Sequence, residues 1–460
     1  MNITFYGGTE TTTGSMHVLE VEGAKIMLDC GLFQGSRKKA FDINKNFPFE
    51  PSELETVILS HAHIDHCGNL PNLHSQGYEE KIFCTHATRD LASVMLKDAA
   101  YIQMKDADFL HKHGKESFGP LYDILSAEKT IWHFASVNYH QKFRVHPSVK
   151  VEFFDAGHIL GAALTKLYIN NNSKQIELVY AVDMGRKNLP ILRDPEEVGT
   201  ADYLIIESTY GGKHHTDITK ASGLLEEIIN RTVQRKGKII IPAFSLERTQ
   251  EIVYVIRELK KAKRIGEIPV YIDSPLAVNV TDIFRLHPEC FDHETNLLLE
   301  EDEDPFGGQM CTYVRSVDAS KRLNGLSGPL VLISASGMCE AGRILHHLIN
   351  NCGDPKNTIL MVGYQAEGTL GRRIIEGAKE IKIFGDLYKL NAEVVQLDTF
   401  SAHADETDLV QYVAGINPRP KKIFLVHGES TGRQALQKAL REQLNTDSIL
   451  PTFGKSFDLI

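Results

Sequence analysis

No stretch of this 460-residue chain approaches the roughly 18 consecutive apolar residues that a membrane-crossing helix requires. The opening MNITFYGGTE has neither the basic nor the apolar region of a secretory signal. Cysteine is scarce and scattered: 7 residues, an odd number, with no CxxC pair. That argues against a disulfide scaffold or a thiolate metal site, and a reducing cytoplasm with free thiols is the simplest expectation. Positive charge is not in excess. Lys and Arg number 50 against 60 Asp and Glu, a net charge of −10, which excludes a protein that coats nucleic acid indiscriminately but leaves room for a local basic cleft. Trp132 is the one tryptophan, and the tyrosines and phenylalanines form no run that reads as a base-stacking surface. Low-complexity tracts and short repeats are also missing. What remains, 42% hydrophobic and 24% charged residues, is a globular composition long enough for two or three structural units.

Three short strands with glycine-containing turns open the chain (ITFYGG, SMHVLEVEG, AKIMLDCG) and read as antiparallel. TVILSHAHID follows as an apolar run ending in a polar loop, and residues 85–112 have helical spacing with Thr85 or Thr88 as N-cap. VKVEFFDAG, TKLYIN and IELVYAVD are further strands. Near residue 205 the character changes. DYLIIEST, a helix over 219–235, KIIIPAF, a helix over 246–263, PVYIDSP, PLVLISASG, a helix over 340–351 and TILMVGY alternate, the signature of a parallel sheet covered on both faces. EVVQLDTFSAHAD, a helix, KKIFLVHGES and a final helix return to the earlier style. Residues 1–206 and 389–460 are therefore expected to form one domain with an α/β domain, 207–388, inserted; a contiguous two-domain split is the alternative.

The densest polar signal is SHAHIDHCGNLP, residues 60–71, with His61, His63, Asp65 and His66 in one loop. Imidazole nitrogen and carboxylate oxygen are donors for zinc and related ions, manganese included. Three more donors stand at the ends of apolar strands: His158 after VEFFDAG, Asp183 after ELVYAV and His427 after KIFLV. Strand ends are where ligands gather in sheet-based enzymes. If Asp183 bridges, one ion takes His61, His63, His158 and Asp183, and the other takes Asp65, His66, Asp183 and His427, with room for a bridging hydroxide. Such a centre carries net positive charge, attracts a phosphodiester and stabilises an in-line transition state. Asp29, ending AKIMLDC, is placed to orient a ligand histidine from behind.

HxHxDH followed by His, Asp and His at later strand ends resembles the metallo-β-lactamase superfamily. Glu207 in IIESTYG, His403 in FSAHAD and His427 in LVHGE are similar to motifs A, B and C of its β-CASP nucleases, as are GTETTTGSMHVL and LDCGLFQG near the start. The resemblance spans essentially the whole chain, closest to bacterial and archaeal homologues of the cleavage and polyadenylation endonuclease and more distantly to ribonuclease J. It implies an α/β fold, an αββα sandwich with an inserted parallel-sheet β-CASP domain. It also implies two Zn2+ per chain held by the seven donors, and a metal-bridging hydroxide that hydrolyses single-stranded RNA in an interdomain cleft of a cytoplasmic enzyme. Endonuclease action is favoured, with a 5′ exonuclease mode beside it. Asp65, His403 and Glu207 become the candidate catalytic residues, His403 assisting the leaving 3′ oxygen and Glu207 orienting His403. A histidine at position 427 is similar to RNA-directed members, where DNA-repair members tend to carry valine. A DNA nuclease of the same superfamily, a hydrolase of a small thioester or lactone, and a silent RNA-binding scaffold are the alternatives. No membrane partner is expected, and a homodimer is an open option.

ISASGMCEAGRILHH, 333–347, reads as strand, small-residue turn and helix. Ser336 and Gly337 are expected to bare the backbone at a helix start, resembling a phosphate-holding turn; a tight turn needing glycine for its backbone is the alternative. Ser401 and Ala402 are expected to lend similar phosphate or RNA contacts, and Arg343 a cation. KKAKR (260–264) and EEDEDPFGG (300–308) read as a solvated helix end and a solvent loop, and His214 and His215 as substrate contact or turn packing.

Overall fold

The structure, a computed structural model, describes residues 1–112, 118–171, 174–215, 218–363, 365 and 368–459. Two compact units are present: Met1–Lys187 with Arg193–His214 and Ala402–Ile460, and Asn188–Leu192 with His215–Ser401.

In the first unit, a seven-stranded sheet runs in the order Lys455–Asp458, Asn2–Phe5, His17–Val21, Ala24–Leu28, Leu54–Ile58, Ile82–Cys84, Phe134–Ser136. Its first four strands are antiparallel neighbours, two of the three pairings made by hairpins and the third by Lys455–Asp458 adding to the edge of Asn2–Phe5, and the later strands add in parallel. A six-stranded sheet follows the order Lys422–Val426, Tyr203–Glu207, Lys174–Ala181, Ala163–Asn171, Val149–Asp155, Phe143–His146. One core joins them: Ile3, Phe5, Leu19, Ile26 and Leu28 from one sheet with Val151, Phe153, Leu167, Leu178, Ile205 and Phe424 from the other. Every second residue of a strand faces that core, and each large apolar side chain buried there contributes about 1.5–3 kcal/mol by leaving water. The helix expected over 85–112 runs His86–Lys112.

The second unit is built on six parallel strands in the order Cys311–Tyr313, Val270–Ile272, Val331–Ser334, Ile239–Pro242, Thr358–Met361, Glu393–Gln396. The continuous apolar runs have a physical reason. Ile239, Ile241, Val331 and Ile333 enter the core on one face with helices Ala221–Gln234 and Arg248–Lys261. Ile240, Leu332, Ile359 and Met361 enter the core on the other face with helix Ile344–Asn351. A sheet buried on both faces has no polar side to show.

Three expectations are corrected. The helix read over 340–351 begins only at Ile344. The strand Lys455–Asp458, paired with Asn2–Phe5, was not foreseen. The acidic loop and the basic helix end are not simply solvated: Glu303 pairs with Arg257 and Lys261, Asp304 with Arg285, and Arg264 with Glu226. Opposite charges that a one-dimensional reading assigns to water are spent on each other.

Candidate metal centre

All seven donors come from the ends of first-unit strands. Leu54–Ile58 leads through Ser60 to His61 and His63, and a single helical turn, Ile64–Cys67, carries Asp65 and His66. His158 follows Val149–Asp155, Asp183 follows Lys174–Ala181 and His427 follows Lys422–Val426. Asp29, Asp183 and His427 leave their strands in left-handed backbone (φ 57°, 58° and 48°), a conformation uncommon outside glycine that turns the side chain sharply at a site. The 61–66 loop is stitched to the LDCG turn by Cys30 N–H to His66 O (2.8 Å) and Leu32 N–H to Ile64 O (3.0 Å). Gly31 makes that approach possible, since a Cβ there would lie 1.6 Å from Asp65 O.

The donor atoms fall into two sets that share Asp183. His63 Nδ1 lies 3.1 Å from His61 Nε2 and 3.2 Å from His158 Nε2, and Asp183 Oδ2 lies 3.4 and 3.5 Å from His61 and His158 Nε2. In the other set His66 Nε2 is 3.1 Å from His427 Nε2 and 3.3 Å from the same Asp183 Oδ2, with Asp65 Oδ2 3.6 Å from His427 Nε2. Ligands about 2.0–2.1 Å from one tetrahedral ion stand about 3.3–3.4 Å apart, and these spacings fit donors gathered around metal.

The protonation chemistry fits a metal as well. His66 Nδ1–H donates to Asp29 Oδ2 (2.8 Å), His61 Nδ1 meets Ser60 Oγ (2.9 Å) and His158 Nδ1–H points at Ala402 O (3.4 Å). Each ring thereby turns its Nε2 toward Asp183 Oδ2. Burial works against a charged His66, but Asp183 and Asp29 raise it well above the usual imidazole range, so the cluster favours positive charge, which a proton or a metal ion supplies. Burial pushes His63 down to about 3 and holds His61 and His158 below the usual imidazole range, the ligand-competent neutral form. Burial opposes charge on Asp65 and Asp183 too, yet His427 and His66 hold both carboxyls below the ordinary carboxylate range. Asp183 Oδ1 is buried and lies 3.1 Å from His427 Nδ1 without hydrogen-bond geometry.

Behind this cluster Asp29 Oδ2 accepts from His66, from Ser60 Oγ (2.7 Å) and from the Tyr180 hydroxyl (2.8 Å), while Oδ1 accepts Ser60 N–H (2.7 Å). One carboxylate thus steadies a histidine of each set, His66 directly and His61 through Ser60. Ser60 and Tyr180 escaped the sequence reading. A signal existed for Tyr180, since strand alternation puts it inside, where a phenol needs a partner.

Glu207, fully buried, places Oε2 3.1 Å from His403 Nδ1 and accepts Met184 N–H on Oε1 (2.5 Å), so one side chain holds both His403 and the backbone after Asp183. Burial works against a charged His403, but Glu207 and Asp183 raise it to about 9. Its ring is 4.5 Å from that of His158. His214 Nδ1 lies 3.1 Å from Thr407 Oγ1, turn packing onto the helix Glu406–Gly415.

Ser401 and Ala402 are buried, and the Ala402 carbonyl is turned to His158. Ser336 and Gly337 lie in the second unit, before Ile344, and Ser336 N–H is used by Ala341 O (3.2 Å). The helix does not start at them: the intervening small residues form turns, and the helix begins at Ile344. Arg343 is likewise occupied, with Nη1 2.6 Å from Asp273 Oδ1.

Residues 18–195 match the model of a metallo-beta-lactamase superfamily domain, 249–374 that of a Beta-Casp domain, and 387–451 that of a Zn-dependent metallo-hydrolase RNA specificity domain. Ribonuclease TTHA0252 of Thermus thermophilus is 35% identical over 96% of this chain and 96% of its own length. The chain belongs to the β-CASP metallo-hydrolases. An RNase J-like protein of Methanocaldococcus jannaschii is 32% identical over 98% of both chains. Transcription termination factor FttA of Methanosarcina mazei is 31% identical over 97% of this chain and 70% of its own. A crystal structure of a protein of unknown function from Enterococcus faecalis covers 100% of this chain with a TM-score of 0.57 at 13% identity, a likeness of fold. Among the described residues no helix is long and apolar enough to cross a membrane.

Proposed function

We propose that this β-CASP protein is a zinc-dependent ribonuclease that hydrolyses single-stranded RNA, internal cleavage first and 5′ exonuclease action second, leaving a 5′-phosphate and a 3′-hydroxyl. The observation that carries the reading is the pair of donor sets sharing Asp183 Oδ2, with spacings of 3.1–3.6 Å, beside the Glu207–His403 pair. His61, His63, His158 and Asp183 would hold one zinc ion, and Asp65, His66, His427 and the shared Asp183 the second. Bound there, the two ions supply Lewis-acid polarisation of the phosphate and a lowered pKa for attacking water.

The chain's own groups do the rest. Asp65, ionised and with its side chain 22% exposed, orients that water. Glu207 fixes the His403 tautomer through Nδ1, leaving the opposite nitrogen, protonated up to about pH 9, to neutralise the departing 3′ oxygen. Ser336, Gly337, Ser401 and Ala402 are the proposed phosphate or RNA contacts. All seven cysteines are free, which supports the cytoplasm as its compartment.

The test offers the metal-loaded protein a circular RNA beside linear RNAs with 5′-hydroxyl, monophosphate and triphosphate ends, and a thioester panel. Cutting of the circle establishes internal cleavage. Dependence on a monophosphate end moves the assignment to the exonuclease mode. Turnover of thioesters alone overturns it. Metal content and mass of assembly, monomer or homodimer, are measured on the same preparation.

A further inference from the structure

The second unit contains a feature that the reading above leaves unused. The chain leaves Ile239–Pro242 for Val270–Ile272 on one side, but leaves the neighbouring Val331–Ser334 for Thr358–Met361 on the other. In an open parallel sheet such a reversal parts the loops at the carboxyl ends of the strands, and the crevice between them is where these sheets take a ligand. Three residues stand just past the ends of the three central strands: Phe244, Gly337 and Gly363.

Phe244 remains 38% exposed, although its ring is not loose. Its carbonyl accepts both the N–H and the hydroxyl of Thr249 (3.2 and 2.7 Å). A Cβ added to Gly337 would lie 3.0 Å from Phe244 Cδ2 and 3.1 Å from Cε2, and one added to Gly363 would lie 3.9 Å from Cε2. The ring therefore rests on two bare backbones. Gln365, buried, ties those backbones together by donating from Nε2 to Gly337 O (3.1 Å) and Gly363 O (3.3 Å). This also answers why residue 337 is glycine: a neighbouring ring needs the space, whatever else the turn contacts.

We infer that Phe244 on its glycine floor is a stacking shelf for one nucleobase of the RNA substrate. An aromatic face takes any base, because every base has a π-face. Solvent-exposed apolar surface held rigidly in a crevice gains most when a flat apolar partner covers it. The inference rests on the ribonuclease reading.

The test uses the full chain, zinc-loaded, in a His403→Ala background so that RNA persists. A short single-stranded RNA carries 2-aminopurine at each position in turn. The expected result is quenching at one position that disappears in Phe244→Ala, with affinity about 10-fold weaker. An abasic nucleotide at that position should weaken binding by a similar factor and cost Phe244→Ala nothing more. Phe244→Tyr should retain the quench. Phe244→Leu keeps an apolar cover over Gly337 without a planar face, and should lose it. Equal affinity of Phe244→Ala and parent, or losses that add independently, overturns the shelf while the ribonuclease reading stands. No RNA binding by any of the proteins overturns both.

Discussion

Each unit buries one aspartate with a histidine and a serine at the end of a strand, and the two arrangements have opposite meanings. In the first unit Asp29 accepts from His66 Nδ1, Ser60 and Tyr180. In the second, Asp273 Oδ2 accepts from His347 Nε2 (2.6 Å) and Ser320, and Arg343 closes on Oδ1. The difference lies at the far nitrogen of each imidazole. His347 Nδ1 meets the Asn324 amide oxygen (2.9 Å), so its ring ends in a closed network. His66 Nε2 faces His427 Nε2 (3.1 Å) and Asp183 Oδ2 (3.3 Å), so its ring ends among the donors proposed to hold metal. A buried Asp–His–Ser set is thus a support for chemistry or a structural clamp according to what the opposite edge of the ring confronts.

Asp183→Ala should produce the largest effect, because both donor sets lose their common oxygen: metal per chain by mass spectrometry and RNA cleavage should fall to background together. Activity surviving without metal would dissolve the contrast between the two clusters. His403→Ala should keep the metal and lower kcat by about 10²–10⁴-fold, the scale of acid–base assistance.

The clusters themselves are compared by matched substitutions. Asp29→Asn should weaken metal binding about 10–100-fold in chelator competition. Asp273→Asn should leave that affinity unchanged while lowering unfolding stability by about 3 kcal/mol, since Arg343 loses its buried partner. Metal loss in Asp273→Asn would show that the second cluster is no mere clamp.

Asp155 is the smallest case, a buried carboxyl that accepts Gly157 N–H (2.9 Å) and is pushed by burial up to about 7. From the ordinary carboxylate value near about 4 up to about 7, the unfolded chain has released a proton that the fold retains, so stability falls as pH rises through that window and is level above it. Asp155→Asn should flatten that slope, measured as Tm against pH; an unchanged slope would remove Asp155 as its source.

The seven donors were legible because each follows an apolar run and four share one loop, a composition that packing never demands. Asp29 could be read from its position ending a strand. Its collaborators could not: Ser60 looks like any loop serine, and the Tyr180 hydroxyl finds its use across 151 residues of chain. The helix start near Ser336 was misplaced because SGMCEAGR holds helix-compatible residues that the structure spends on turns up to Ile344. KSFD has little of a strand's composition and becomes one only because Asn2–Phe5 offers it an edge. Phe244 was invisible for a related reason. Its exposure depends on glycines 93 and 119 positions later in the chain, brought beneath it by sheet order alone.

The pairing of Tyr203–Glu207 with Lys422–Val426 bears on how the enzyme comes into being. A ribosome that has made the first two hundred residues has produced six of the donors, but not the strand that delivers His427, nor His403 to engage Glu207. The entire second unit must be translated in between. On the proposed assignment, a growing chain is therefore unarmed toward the message being read until Lys422–Val426 has been made and paired.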